Sequence, residues 1–155
     1  AYTGFLFLGL IDCGGDPFMI EYNVRLGDPE TEAIMPRVGN DFLDLLVAAS
    51  EKRLAGRNPE VSSLASATVM LVSEGYPGPY PRGRSITGLG ETEGCLVFHA
   101  GTAGDPTAPV TAGGRVLAIT ATGTSLTRAL ETCYRNAQRI RFDGKYFRPD
   151  IGLDV

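Results

Sequence analysis

Two apolar segments joined by a two-glycine turn constrain this chain more than any other feature. Thr3–Asp12 (TGFLFLGLID) is apolar on both parities, the pattern of a strand covered on both faces. Cys13-Gly14-Gly15-Asp16 follows, and its glycines tolerate the positive φ of a tight turn. Phe18–Arg25 (FMIEYNVR) then alternates strictly. Phe18, Ile20, Tyr22 and Val24 fall on one face, and Met19, Glu21, Asn23 and Arg25 on the other. The two segments predict a β-hairpin.

Pro29 suits a first helical position and Asp28 an N-cap, so a helix is expected there, interrupted at Pro36. A second helix is expected from Asp41. It carries the stripe Phe42, Leu45, Leu46 and Ala49, with Lys52 and Arg53 in its last turn and Gly56 as its stop. Residues 57–64 are polar, contain a proline and read as a linker. Beyond them, 67–74, 95–100 and 114–121 are strand candidates. Between the first two, 75–83 (GYPGPYPRG) is too rich in glycine and proline for regular structure and reads as a rigid loop. Thr124 or Ser125 caps a helix with the stripe Leu126, Ala129, Leu130, Cys133, Ala137 and Ile140. Asp143-Gly144 is a turn before a last strand, 146–151.

The 155 residues suffice for one domain or two small ones. An apolar share of 43% against 21% charged excludes a disordered tail. The net charge is −4 and no basic run exceeds Lys52-Arg53, which argues against nucleic acid as a partner. No apolar run approaches the ~20 residues of a membrane span, and no basic segment precedes an apolar one as in a signal peptide. Cys13, Cys95 and Cys133 are far apart and odd in number, so reduced cysteines in a cytoplasmic protein are expected rather than a disulfide framework or zinc site. The chain starts at Ala1, without Met, inside a strand pattern, and is read as a piece of a longer chain.

Glu21-x-Asn23-x-Arg25 carries the strongest chemical signal. A period of two sets all three on one strand face. Glu21 and Asn23 offer oxygens to a hard cation such as Mg²⁺, which takes one or two protein ligands plus substrate phosphates. Arg25 could pair with phosphate oxygens. From spacing alone the set reads either as a metal–phosphate site or as the solvent side of an amphipathic strand. Gly27-Asp28-Pro29-Glu30 reads either as an acidic helix start facing an amine or as plain capping. His99, the single histidine, is a tempting acid or base but is given no mechanism. Tyr76–Tyr80 is either a substrate-side loop or a rigid connection.

Joined, the two stretches read EYNVRLGDPETE over 21–32. This resembles the signature of the glycinamide ribonucleotide synthetase (phosphoribosylamine–glycine ligase) family, whose hallmark is Arg, an apolar residue, then Gly-Asp-Pro-Glu. The strand with Glu21 and Asn23 is similar to the metal-binding strand of the ATP-grasp superfamily that contains it. The resemblance continues through Ile34-Met35, Asp41, Gly75-Tyr76-Pro77-Gly78-x-Tyr80, Val97–Thr102 (VFHAGT), Gly113–Leu117 (GGRVL) and Asp150-Ile151-Gly152.

The resemblance implies an α+β fold within the broad α/β class. Residues 1–65 would be the C-terminal portion of an ATP-grasp domain, antiparallel strands with helices. Residues 66–155 would be a small, mostly-β domain with one helix. It implies a purine-biosynthetic ligase that joins glycine to 5-phosphoribosylamine at the expense of ATP, through a glycyl phosphate. Glu21 and Asn23 would ligate Mg²⁺ or Mn²⁺ on the ATP phosphates. Arg25 would steady the transferring phosphoryl, and Asp28 and Glu30 would lie by glycine or the incoming amine. The glycine-rich phosphate loop and nucleotide-holding lysines of such enzymes have no counterpart here, and Thr3–Ile11 lacks a further acidic ligand. The 155 residues alone are therefore expected to be inactive, with activity belonging to a parent chain. The alternatives are a non-catalytic module that binds a phosphate ligand or a partner protein, and a different ATP-grasp carboxylate–amine ligase.

Overall fold

The structure, a computed structural model, describes residues 1–153. The last two residues of the second expected domain lie outside that range. The described elements mix helices with antiparallel sheets, the α+β class expected. The chain forms two compact units that part between Ser62 and Ser63.

The first unit opens with the hairpin. Strands β1 (Phe7–Cys13) and β2 (Asp16–Asn23) pair antiparallel around Gly14-Gly15. The register places Phe7 opposite Asn23 and Gly9 opposite Glu21, and it shifts between Gly9 and Leu10. The expected cover over both faces is not found. Leu10 and Ile11 are 56% and 50% exposed, and Phe18, Ile20 and Tyr22 are 58–68% exposed. The apolar pattern records a demand for packing partners that the described residues do not supply.

Helix α1 is short (Glu30–Ile34) and passes into a 3₁₀ turn over Met35–Arg37, where Pro36 breaks the α-helical ladder as expected. Pro29, not Asp28, stands at its N-cap, and no side chain caps it. Helix α2 (Phe42–Ser50) starts as expected, with Asp41 Oδ1 accepting from the Asp44 amide at 3.1 Å. It ends six residues before Gly56. Lys52 adopts the left-handed conformation (φ 58°), its amide bonds Ala49 O, and the Arg53 amide bonds Ala48 O. That is a complete Schellman closure with lysine in the position glycine usually fills. Phe42, Leu45, Leu46 and Ala49 line an apolar cavity of about 490 Å³ together with Leu26 and Ile34. Residues 57–64 are not a free linker throughout. Val61 bridges Val38, and Gly39 and Ser62 exchange backbone bonds with Glu60 and Arg37 at 2.8 Å.

The second unit holds the buried core. Its antiparallel sheet has the order β4–β7–β3–β8, with β3 Ala65–Ser73, β4 Leu96–His99, β7 Arg115–Gly123 and β8 Lys145–Tyr146. Val69 pairs with Ile119 and Leu71 with Leu117, all fully buried. Helix α3 (Leu126–Arg139) packs on β3 and β7 through Ala129, Cys133 and Ala137. Ser125 is its cap, with Oγ accepting from the Arg128 amide at 3.3 Å. At its other end Lys145 Nζ donates to the carbonyls of Ala137 (2.7 Å) and Ile140. Burial lowers the Lys145 pKa, and Arg141 adds to the effect.

Residues 75–83 hold no strand or helix, as expected. Two departures stand out. The last strand is only Lys145–Tyr146, because Phe147–Leu153 turns back so that the Ile151 amide reaches Tyr134 Oη at 2.9 Å. A second hairpin, β5 (Thr102–Asp105) with β6 (Ala108–Thr111), was hidden by glycine and proline within it.

The core predicts its own sensitivities. Leu71→Ala is expected to cost about 3–5 kcal/mol in urea denaturation, and Ser125→Ala about 1 kcal/mol. Burial pushes the Cys133 thiol up to about 11 from an ordinary value of 9.0. The folded state therefore holds this proton more tightly than the unfolded state does. The stability it contributes is complete below pH 9 and is lost as pH rises through about 11. Urea midpoints across that window should fall in the wild type, and Cys133→Ala should lack this component.

Candidate active site

The hairpin register builds the site. Glu21 lies on β2 opposite Gly9, and a Cβ at Gly9 would stand 3.1 Å from Glu21 Cγ. The bare glycine leaves that side of the carboxylate open. Asn23, two residues on, donates through Nδ2 to Glu21 Oε1 at 3.3 Å. The expected pair is thus on one face, with its polar ends together. The Asn23 amide oxygen and the free lone pairs of Glu21 form a two-residue oxygen donor set. Mg²⁺ takes such a set when phosphates complete its sphere. Among the described residues there is no cluster of three or more His, Cys, Asp or Glu that could hold a metal without such help.

Arg25 is exposed and donates through Nη1 to Leu26 O at 2.8 Å. The chain then turns through Gly27, which is buried. A Cβ at Gly27 would meet Glu30 Oε2 and lie 2.9 Å from Phe7 Cε2. Glu30 therefore folds back over Gly27, while Thr31 holds the Gly27 carbonyl with both its amide (3.2 Å) and its hydroxyl. Asp28 is exposed and precedes a cis bond to Pro29. Phe7 pairs with Asn23 across the hairpin, and its ring lies against Gly27.

Sequence reasoning missed Phe7, Gly9, Thr31 and Glu32. The first two depend on the strand register, which a bulge between Gly9 and Leu10 displaces. Thr31 is an ordinary helix residue until its hydroxyl is seen on Gly27. Glu32 carries a buried Oε2 with no hydrogen-bond partner among the described residues. Its signal was the odd run of three acids at 28, 30 and 32.

Residues 66–154, more than half of the chain, match the family described as "Phosphoribosylglycinamide synthetase, C domain". The chain belongs to the phosphoribosylglycinamide synthetase family. The phosphoribosylamine–glycine ligase of Chlorobaculum tepidum is 48% identical over 155 residues, covering 98% of this chain and 36% of that protein. The enzyme of the same name from Vibrio vulnificus is 47% identical, covering 97% and 36%. The crystal structure of phosphoribosylamine–glycine ligase from Thermotoga maritima superposes with a TM-score of 0.80 at 36% identity, over 94% of this chain and 36% of that one. This family member therefore spans about a third of the length of the relatives it matches.

Gly27 provides the check on the site's geometry. Gly27→Ala is expected to lower the thermal midpoint by several degrees, because Glu30 and Phe7 must both move. Gly90→Ala, where nothing lies within 4 Å, should leave it unchanged. Differential scanning calorimetry of the two variants decides.

Proposed function

We propose that this chain is part of an ATP-dependent ligase that joins glycine to 5-phosphoribosylamine, giving glycinamide ribonucleotide, ADP and phosphate. One observation carries the reading. Proteins named phosphoribosylamine–glycine ligase match 97–98% of this chain at 47–48% identity, straight through the Glu21–Glu30 stretch. In this reading residues 1–65 are the end of an ATP-grasp domain and 66–155 the C-terminal domain of the ligase.

The reaction has two steps. The glycine carboxylate attacks the γ-phosphorus of ATP, forming glycyl phosphate and releasing ADP. The amine of 5-phosphoribosylamine then attacks the acyl carbon, an amide forms and inorganic phosphate leaves. Such transfers depend on positioning and charge stabilisation. Glu21 and the Asn23 amide oxygen would hold Mg²⁺ or Mn²⁺, which would neutralise charge on the ATP phosphates. Arg25 follows on the same chain segment and would steady the transferring phosphoryl by charge-assisted bonds. Glu30, held over Gly27, and Asp28 offer carboxylates to the ammonium of glycine or to the incoming amine.

The exposed hairpin supports the further proposal that the cleft is completed elsewhere. Apolar side chains bare on both faces of a two-stranded ribbon fit a sheet that continues into residues this sequence does not span. A half-built cleft exposes ATP to water and lacks the nucleotide-holding loop, so the 155 residues alone turn over no ATP. Localisation in the cytoplasm suits a purine-biosynthetic ligase. Among the described residues no helix is long and apolar enough to cross a membrane.

The test compares two proteins in a coupled ADP-release assay with glycine and 5-phosphoribosylamine. The ligase containing this chain should turn over, and Glu21→Ala in it should lower kcat by at least about 100-fold, near 3 kcal/mol of barrier. The 155-residue chain should release no ADP. ATP turnover by the short chain defeats the inactivity proposal. A longer protein that binds partners but makes no glycinamide ribonucleotide favours the non-catalytic module.

A further inference from the structure

We propose that residues 147–153 form a latch on α3 that opens separately from the core, and that its opening loosens one wall of the cleft beside loop 75–83. The segment carries Asp150-Ile151-Gly152, a stretch singled out in the sequence that has no part in the Glu21–Glu30 site. It contains no helix or strand. Its own turn is closed by Arg148, which donates through Nε and Nη2 to the two Asp150 carboxylate oxygens at 2.9 Å each, and by the Leu153 amide on Asp150 O at 3.3 Å. One hydroxyl then ties both ends of this turn to the helix. Tyr134 Oη donates to Arg148 O at 3.1 Å and accepts from the Ile151 amide at 2.9 Å. The Tyr134 ring centre lies 6.1 Å from that of Phe147. Gly152 has φ 75°, and a Cβ there would stand 2.6 Å from Leu130 Cδ1, so only glycine lets the segment lie this close to α3.

The two sides of this contact differ in what holds them. Leu117 and Ile119 of β7 are fully buried between β4 and β3, whereas Arg148, Pro149 and Asp150 are exposed and Leu153 is 79% exposed. A segment with little buried apolar surface and few backbone bonds opens at lower cost than the core it rests on. The latch begins directly after β8, which has two residues where strands usually have three to ten. β8 is the edge of the sheet and pairs only as Val72 with Tyr146 and Ser73 with Lys145. Lys145 Nζ, bonded to the carbonyls of Ala137 and Ile140, lies 5.5 Å from the centre of the Phe147 ring. A cleft of about 410 Å³ has Ser73, Glu74 and Tyr76 on one side and Gly144, Lys145 and Tyr146 on the other. The Glu74 amide bridges the two sides by donating to Gly144 O at 2.7 Å. When the latch opens, Phe147 leaves Lys145, and a two-residue strand alone holds that wall.

Amide hydrogen exchange, followed by NMR on the 155-residue chain, reads the opening residue by residue. In the wild type the Ile151 amide should be protected, yet exchange on the order of 100-fold faster than those of Leu117 and Ile119 after correction for intrinsic rates. Tyr134→Phe keeps the ring against Phe147 and removes the hydroxyl. It should speed Ile151 exchange about 30-fold, the loss of two neutral hydrogen bonds, and leave Leu117 and Ile119 unchanged. The Glu74 amide, which reports on the cleft wall, should exchange about fivefold faster in the same variant, a part of the same two-bond loss. Gly152→Ala, which forces the segment off Leu130, should give the same pattern. Ile151 exchanging at the rate of an unfolded chain means that no latch is closed, and Ile151 exchanging as slowly as Ile119 means that the segment opens only with the core; either result overturns the proposal. A rise by one common factor at Ile151, Leu117 and Ile119 in Tyr134→Phe overturns it as well. An unchanged Glu74 amide overturns the link to the cleft.

Discussion

Antiparallel pairing between β3 and β7 sets the position of every other element in the second unit. The register brings Val69 beside Ile119 and Leu71 beside Leu117, so one face of two long strands is continuously apolar. Helix α3 covers that face with Ala129, Cys133 and Ala137, small residues that let the helix sit close. Asn136, wholly buried, then ties the helix to the preceding loop. Its Nδ2 donates to Glu93 O at 2.8 Å, and its Oδ1 accepts from the Glu93 amide at 2.9 Å. A shift in register between Leu71 and Val72 ends the regular ladder just where Ser73 meets Gly113 and Gly114. The cleft that starts at Ser73 is thus a direct product of how two core strands stop pairing.

The first unit follows a different logic. Among the described residues its one buried apolar side chain is Ala48. Its order comes from local devices: a glycine turn, an aspartate cap, a Schellman closure and the Val38–Val61 bridge. Glu21 and Asn23 gain their common face from strand alternation alone, whereas Glu30 is placed by the lack of a side chain at Gly27.

Where local chemistry decides structure, the sequence could be read directly. Asp41 and Ser125 cap the helices they were expected to cap, the hairpin turn lies at Gly14-Gly15, and the α3 stripe faces the core as its spacing requires, with Ala129, Cys133, Ala137 and Ile140 buried and Leu126 and Leu130 half-buried. Glu21 and Asn23 were legible as a pair because a period of two is independent of context. Reading failed where a residue acts against its usual preference or through a distant partner. Lys52 ends α2 in a conformation that glycine favours, so the stop was sought at Gly56. The β5–β6 hairpin has glycine and proline inside strands, which local propensity rejects. The convergence of 73–76 and 144–146 on one cleft depends on sheet order, which no local pattern encodes.

The unequal burial of the two units has a thermodynamic consequence for affinity. The oxygens proposed to meet metal and nucleotide are borne by the unit with little core of its own, on a ribbon of a kind that is marginal in isolation. Any ligand engaging Glu21 and Asn23 must spend part of its binding free energy on ordering that ribbon, so observed affinity falls below intrinsic affinity by the fraction of ordered ribbon. Linkage runs both ways: occupancy of the site draws the ribbon toward its folded state, and the ligand acts as part of the scaffold that holds it.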